Sequence, residues 1–130
     1  MYSLQEEDTF RGLPDNSQIF KKNIKPLKNM EIEEAQKRVL EFEKKWAELK
    51  DIEFTPELTT LHLIEEVGEM TKQLFYKKAK PNKFDEENLK EEVIDVILVS
   101  LCLADKLKIN LSEEIDKKIN ELNKRDYSKV

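Results

Sequence analysis

Glycine is nearly absent from this chain: there are two in 130 residues, beside four prolines. So few residues able to take positive φ or to break regular hydrogen bonding leave little material for the tight turns of a β-sandwich or barrel. Leu, Glu, Lys and Ile are abundant, and that balance favours helices. Cysteine occurs once, at Cys102, so no internal disulfide can form, and a lone thiol inside an apolar run reads as a small packed hydrophobe. Histidine also occurs once, at His62. That leaves no His and Cys ligand set for zinc and no Glu-x-x-His motif of the di-iron bundles. An excess of basic residues is missing too. The net charge of −5 argues against nucleic-acid binding, while leaving room for a local basic pocket for phosphate. The first ten residues are acidic and lack the apolar core of a signal peptide. No stretch reaches the roughly 18 apolar residues of a membrane span. The expectation is one soluble cytoplasmic domain, with no nucleic acid and no membrane as partners.

What is present is helical periodicity. Residues 1–28, with Gly12, Pro14 and Pro26, show no sustained period and read as an N-terminal extension. A helical domain over 29–126 follows, and 127–130 form a polar tail. The first helix is expected from an Asn29 N-cap, with Ile32, Ala35, Val39, Phe42, Trp46 and Leu49 as one apolar stripe. Trp46 reads either as a core residue or as a stacking platform for a nucleobase. Thr55 and Pro56 form a strong start signal for a second helix running to about Lys78. On it, Leu61, Ile64, Gly68, Thr71 and Phe75 mark a packed stripe, and His62, Glu66, Glu69 and Gln73 fill the remaining strip. His62 is not assigned to a metal. The lysines of Lys77–Phe84 read mostly as a solvated basic turn around Pro81. Asn82 or Asp85 caps a third helix to about Lys106. Ser112 looks like the cap of a fourth, which carries Ile115, Ile119 and Leu122. Four amphipathic helices with short links make an all-α antiparallel four-helix bundle.

Two acidic pairs stand out: Glu66 with Glu69, and Glu92 with Asp95, each spaced i,i+3 and so on one helix face. The second pair leads directly into Val96–Ala104, where only Ser100 carries a hydroxyl. A helix that is apolar all round is buried all round. For Glu65 and Glu91, solvated positions suffice. Four carboxylates set among apolar neighbours are another matter, because burial of unpaired, mutually repelling acids costs several kcal/mol each. A hard divalent cation removes both penalties, and an all-carboxylate Mg²⁺ site usually serves substrate phosphates.

Glu65-Glu66-Val67-Gly68-Glu69 followed by Glu92-Val93-Ile94-Asp95 resembles the EExxE…ExxD signature of the MazG-like nucleotide pyrophosphohydrolases. The resemblance covers about residues 30–126. It implies a Mg²⁺-dependent enzyme, with Mn²⁺ as an alternative, that cleaves a nucleoside triphosphate to monophosphate and pyrophosphate in nucleotide-pool house-cleaning. It also implies Glu66, Glu69, Glu92 and Asp95 as metal ligands, with Glu65 orienting or activating water or only shaping the field. Lys118, Asn123 and Arg125 would contact phosphate or sugar, and Trp46 is the candidate for the base. A homodimer or homotetramer is the implied assembly, and a chain with the apolar run 96–104 fits one. A phosphoribosyl-ATP pyrophosphatase would use the same acids. A non-catalytic helical adaptor would instead leave them exposed and replaceable, and a metal-storage or sensing bundle would bind metal without turnover.

Overall fold

The computed structural model describes residues 29–129; the N-terminal extension expected over 1–28 lies outside them. Four helices follow in order: α1 over Ile32–Lys50, α2 over Pro56–Ala79, α3 over Glu86–Lys106 and α4 over Leu111–Asn123. There is no strand among the described residues. Most boundaries follow the local chemistry. The Thr55 hydroxyl accepts from the Leu58 amide at 3.2 Å with Pro56 in the first helical turn, and Asp85 accepts from the Asn88 amide at 3.0 Å. Two differ from expectation. α1 starts after Glu31, which makes no side-chain cap, rather than at Asn29. α4 is capped by Asn110, whose Oδ1 accepts from the Glu113 amide at 3.1 Å, and Ser112 falls inside the helix. The tail closes in a short 3-10 turn, Tyr127–Lys129.

α2 and α3 form the most extensively packed pair, an antiparallel hairpin turned through Pro81–Lys83. Buried Gln73 fixes its register. Its Nε2 donates to Asn88 Oδ1 at 2.9 Å and its Oε1 accepts from the Asp85 amide at 3.0 Å. One side chain thus satisfies a backbone donor at the start of α3 that would otherwise be stranded. α1 lies on α3, tied by Gln36 Nε2 donating to the Leu101 carbonyl at 3.0 Å and by an ion pair between Glu43 and Lys106. α4 packs on α1.

The core of one chain is thin: among the described residues only Leu101, Cys102 and Ala104 are buried hydrophobics. The run 96–104 is therefore not buried all round. One side packs inward, while Ile97 is 49% exposed and Ser100 Oγ satisfies itself on the Val96 carbonyl at 2.7 Å. The reason is geometric, since α1 and α2 leave a third side of α3 uncovered. α2 departs further from expectation. Its inward face is Thr59, His62, Leu63, Glu66, Glu69, Met70 and Gln73, largely polar, whereas the supposed packed stripe faces out. Leu61 and Ile64 are each 62% exposed and Phe75 55%. A Cβ added at Gly68, midway along that outer stripe, would meet nothing within 4 Å. Apolar surface of this extent is uncommon on a monomer. No helix among the described residues is long and apolar enough to cross a membrane.

Candidate active site

The inversion of α2 has a chemical consequence: it turns Glu66 toward α3. Glu92 and Asp95, one turn apart on α3, meet it there. One carboxylate oxygen from each of the three lies within 4.8 Å of the others. That spread is close to the ~4.2–5.2 Å between opposite oxygens around a hard cation with metal–oxygen bonds of about 2.1–2.6 Å.

The electrostatics show the strain of leaving these acids bare. Burial first, and then the adjacent Glu66 carboxylate, push Glu92 up to about 7, with Glu69 adding to the effect. Burial likewise raises Glu66, helped by the charges of Asp95 and Glu65. Glu92 Oε2 is buried with no hydrogen-bond donor, and its Oε1 receives only a long 3.5 Å contact from Asn88 Nδ2. A stranded carboxylate oxygen amid like charges is costly with water excluded and favourable as a cation ligand. The donor set is all oxygen and fits Mg²⁺ or Mn²⁺.

Glu69, expected in the same group, stands apart from it. Its carboxylate pairs with Lys72 at 2.8 Å on a half-exposed flank. Such a surface pair is worth about 0–1 kcal/mol, so a bound cation could draw Glu69 across at little cost. Glu65 is exposed beside Glu66. His62 proves closer to the chemistry than its sequence reading allowed: its Nε2 lies 3.0 Å from Glu66 Oε1. Burial lowers its pKa against the charges of Glu65, Asp95 and Glu43, which favours the neutral ring. The i,i+4 spacing to Glu66 was the available signal.

The carboxylates open onto a pocket of about 260 Å³ between α1, α2 and α3. Glu66, Asp95 and His62 give it a polar lining, and Val39, Leu98, Val99 and Cys102 supply apolar wall. Phe54, from the α1–α2 link, and Phe42 and Trp46 from α1 complete it. Phe42 and Trp46 lie nearly parallel with ring centroids 6.1 Å apart, and the Lys50 ammonium sits 5.3 Å from the Trp46 ring. Burial, chiefly, pushes the Cys102 thiol up to about 12, so it stays protonated and packs rather than reacts. Lys118, Asn123 and Arg125 join neither the carboxylate group nor the pocket wall. All three are exposed, Lys118 midway along α4, Asn123 at its end and Arg125 just beyond, and Glu121 pairs with Lys118 at 3.3 Å and Arg125 at 2.6 Å.

Comparison with known proteins identifies relatives of the whole fold. The model of the MazG-like family matches residues 50–129. An uncharacterized protein of Bacillus subtilis (strain 168), YpjD, is 34% identical over 82 residues, covering 61% of this chain and 74% of its own. The solved structure of Bacillus subtilis YPJD superposes with a TM-score of 0.59 at 29% identity, over 77% of this chain and 100% of that one. The crystal structure of the Bacillus-conserved MazG protein, a nucleotide pyrophosphohydrolase, also gives 0.59, at 25% identity, over 78% of this chain and 99% of that one.

Proposed function

The chain belongs to the MazG-like family, and from that premise we propose that it is a divalent-metal-dependent nucleoside triphosphate pyrophosphohydrolase, splitting a (d)NTP into (d)NMP and pyrophosphate. The observation that carries the reading is the meeting of Glu66, Glu92 and Asp95, with a stranded Glu92 oxygen, beside an aromatic pocket that Glu66 and Asp95 help to line. Base and phosphates would occupy two adjoining compartments of one site. Glu66, Glu92 and Asp95 would hold Mg²⁺ or Mn²⁺, with Glu69 as a fourth ligand once released from Lys72. When bound, such an ion neutralises phosphate charge, lowers the pKa of water and stabilises the pyrophosphate leaving group.

The protein's own residues do the rest. His62 bridges to Glu66 and fixes the orientation of that carboxylate. Gln73, through Asn88, steadies the turn of α3 that carries Glu92. Glu65, exposed beside Glu66 and outside the metal group, would orient or activate the attacking water or shape the field around it. Trp46 and Phe42 provide π-surface for the base, and the apolar wall keeps that end dry. The exposed α2 stripe supports assembly as a homodimer or homotetramer. Lys118, Asn123 and Arg125 would reach phosphate or sugar only from a neighbouring chain.

The test is pyrophosphate release from a panel of NTPs and dNTPs with Mg²⁺, by wild type and Asp95→Asn. Release from at least one nucleotide, abolished in the variant, supports the reading. Absence of release from every nucleotide, or equal rates in the two proteins, refutes it.

A further inference from the structure

The aromatic and aliphatic walls of the pocket offer stacking, which every base accepts, and so cannot choose among bases. Choice needs a polar group placed inside. Glu66 and Asp95 belong to the metal group, and His62 is bonded to Glu66. Glu43 is the remaining charged side chain in the wall. It lies on the same face of α1 as Val39 and Trp46, four residues after one and three before the other, within the stripe that otherwise lines the pocket with apolar groups. Its side chain is only 21% exposed, and that of its ion-pair partner Lys106 only 13%. Lys106 approaches from the end of α3 and is not part of the pocket wall. The pair therefore offsets the cost of a carboxylate in an apolar wall while leaving the pocket with an acceptor and no donor from this pair.

We propose that Glu43 selects the base, so that the site takes nucleoside triphosphates whose base carries an exocyclic amino group in preference to those with a carbonyl in its place. The inference rests on the hydrolase reading and names its substrate class. An ionised carboxylate only accepts hydrogen bonds and offers about four lone-pair positions, of which Lys106 and the Cys102 thiol engage some and leave the rest to the pocket. The amino group on C4 of cytosine or C6 of adenine donates to such an acceptor. A carbonyl at the same position, as in uracil or hypoxanthine, turns its lone pairs against it, and the base must shift to offer its ring N–H instead, which costs part of its stacking.

The experiment measures kcat/KM for two pairs of nucleotides that differ in this one group, dCTP against dUTP and dATP against dITP, with Mg²⁺. The amino member should be favoured by about tenfold to a hundredfold. Glu43→Gln, whose amide can turn an N–H to a carbonyl, should bring the ratio to one or below. Lys106→Met keeps the carboxylate and should lower the rates while preserving the ratio. If Glu43 serves only as a clamp between α1 and α3, both variants lower all rates alike and the wild-type ratio survives in Glu43→Gln, which overturns the proposal. Should Glu43→Gln fail to fold, the wild type still decides, because equal rates within each pair overturn the selection alone. No turnover of any nucleotide overturns the hydrolase reading, and the selection with it.

Discussion

Replacing Glu92 by Gln should make the metal-free protein more stable and less dependent on pH. Glu92 is raised from the ordinary 4.5 to about 7, by burial and by the neighbouring Glu66 charge. At about 1.36 kcal/mol per unit, a shift of that size bounds the penalty at about 3 kcal/mol. The cleft is open to water on one side, and screening reduces the expected figure to about 1–2 kcal/mol. The sign follows from proton binding. Below about pH 4.5, Glu92 is protonated in folded and unfolded chains alike and costs nothing. Between 4.5 and 7 the folded chain retains a proton that the unfolded chain has lost, so stability falls as pH rises. Above about pH 7 the full penalty is present. A glutamine never ionises and removes this slope. At about 4 °C per kcal/mol for a chain of this size, Glu92→Gln should melt about 4–8 °C above wild type at pH 8 in chelator, with the gap closing toward pH 4.5. Added Mg²⁺ should reverse the order. An ion that binds only the native state contributes about 2.7 kcal/mol at a hundred times Kd, and the variant has lost a ligand. Thermal scans from pH 4.5 to 8.5, with and without Mg²⁺, supply the data. Parallel curves for the two proteins would refute the reasoning.

Other variants separate site, scaffold and assembly. Glu66→Gln should lose Mg²⁺-dependent turnover while circular dichroism stays that of the wild type; near-normal activity would remove Glu66 from the ligand set. Gln73→Leu strands the Asp85 amide and should cost about 1–3 kcal/mol in denaturant unfolding, with weaker Mg²⁺ binding through the loosened Glu92 turn. An unchanged midpoint would contradict the role given to Gln73. Ile64→Lys, on the exposed face of α2, should leave each chain folded and convert an oligomer to monomer in light scattering, whereas Leu101→Lys, at 5% exposure, should unfold the chain. A wild type that scatters as a monomer at micromolar concentration would refute the assembly.

The helices were legible because their signals are local. Thr55-Pro56 and Asp85 carry their caps beside them, and four members of the α1 stripe, Ile32, Ala35, Val39 and Trp46, turn inward as the period implies, while Phe42 and Leu49 stay exposed at 60% and 75%. Asn29 and Ser112 were wrong as caps for an equally local reason: Glu31 and Asn110 are the residues directly before the first helical residue, while Asn29 lies two positions upstream of the cap and Ser112 already inside the helix. The facing of α2 was not legible. Its apolar stripe suggested an inner surface, yet its polar strip faces α3, held there by Gln73 bonding Asn88 and the Asp85 amide, and a single chain offers nothing to cover the other side. The i,i+3 spacing identified the acidic pairs. It could not reveal that Glu69 would turn to Lys72, although that partner also stands three residues on. The pocket depended on contacts between distant parts of the chain. Nothing in the α1 pattern marks Glu43, whose partner Lys106 stands 63 residues away. Phe54 sits in a link without any period.

The central claim is that these carboxylates support cleavage between the α and β phosphates of a nucleotide. Phosphorus NMR of a nucleoside triphosphate incubated with the full chain and Mg²⁺ reads that bond directly. The account predicts monophosphate and pyrophosphate resonances growing together in equal amounts, and no further growth once the metal is chelated. Formation of diphosphate and orthophosphate, or turnover that continues in excess chelator, would contradict it.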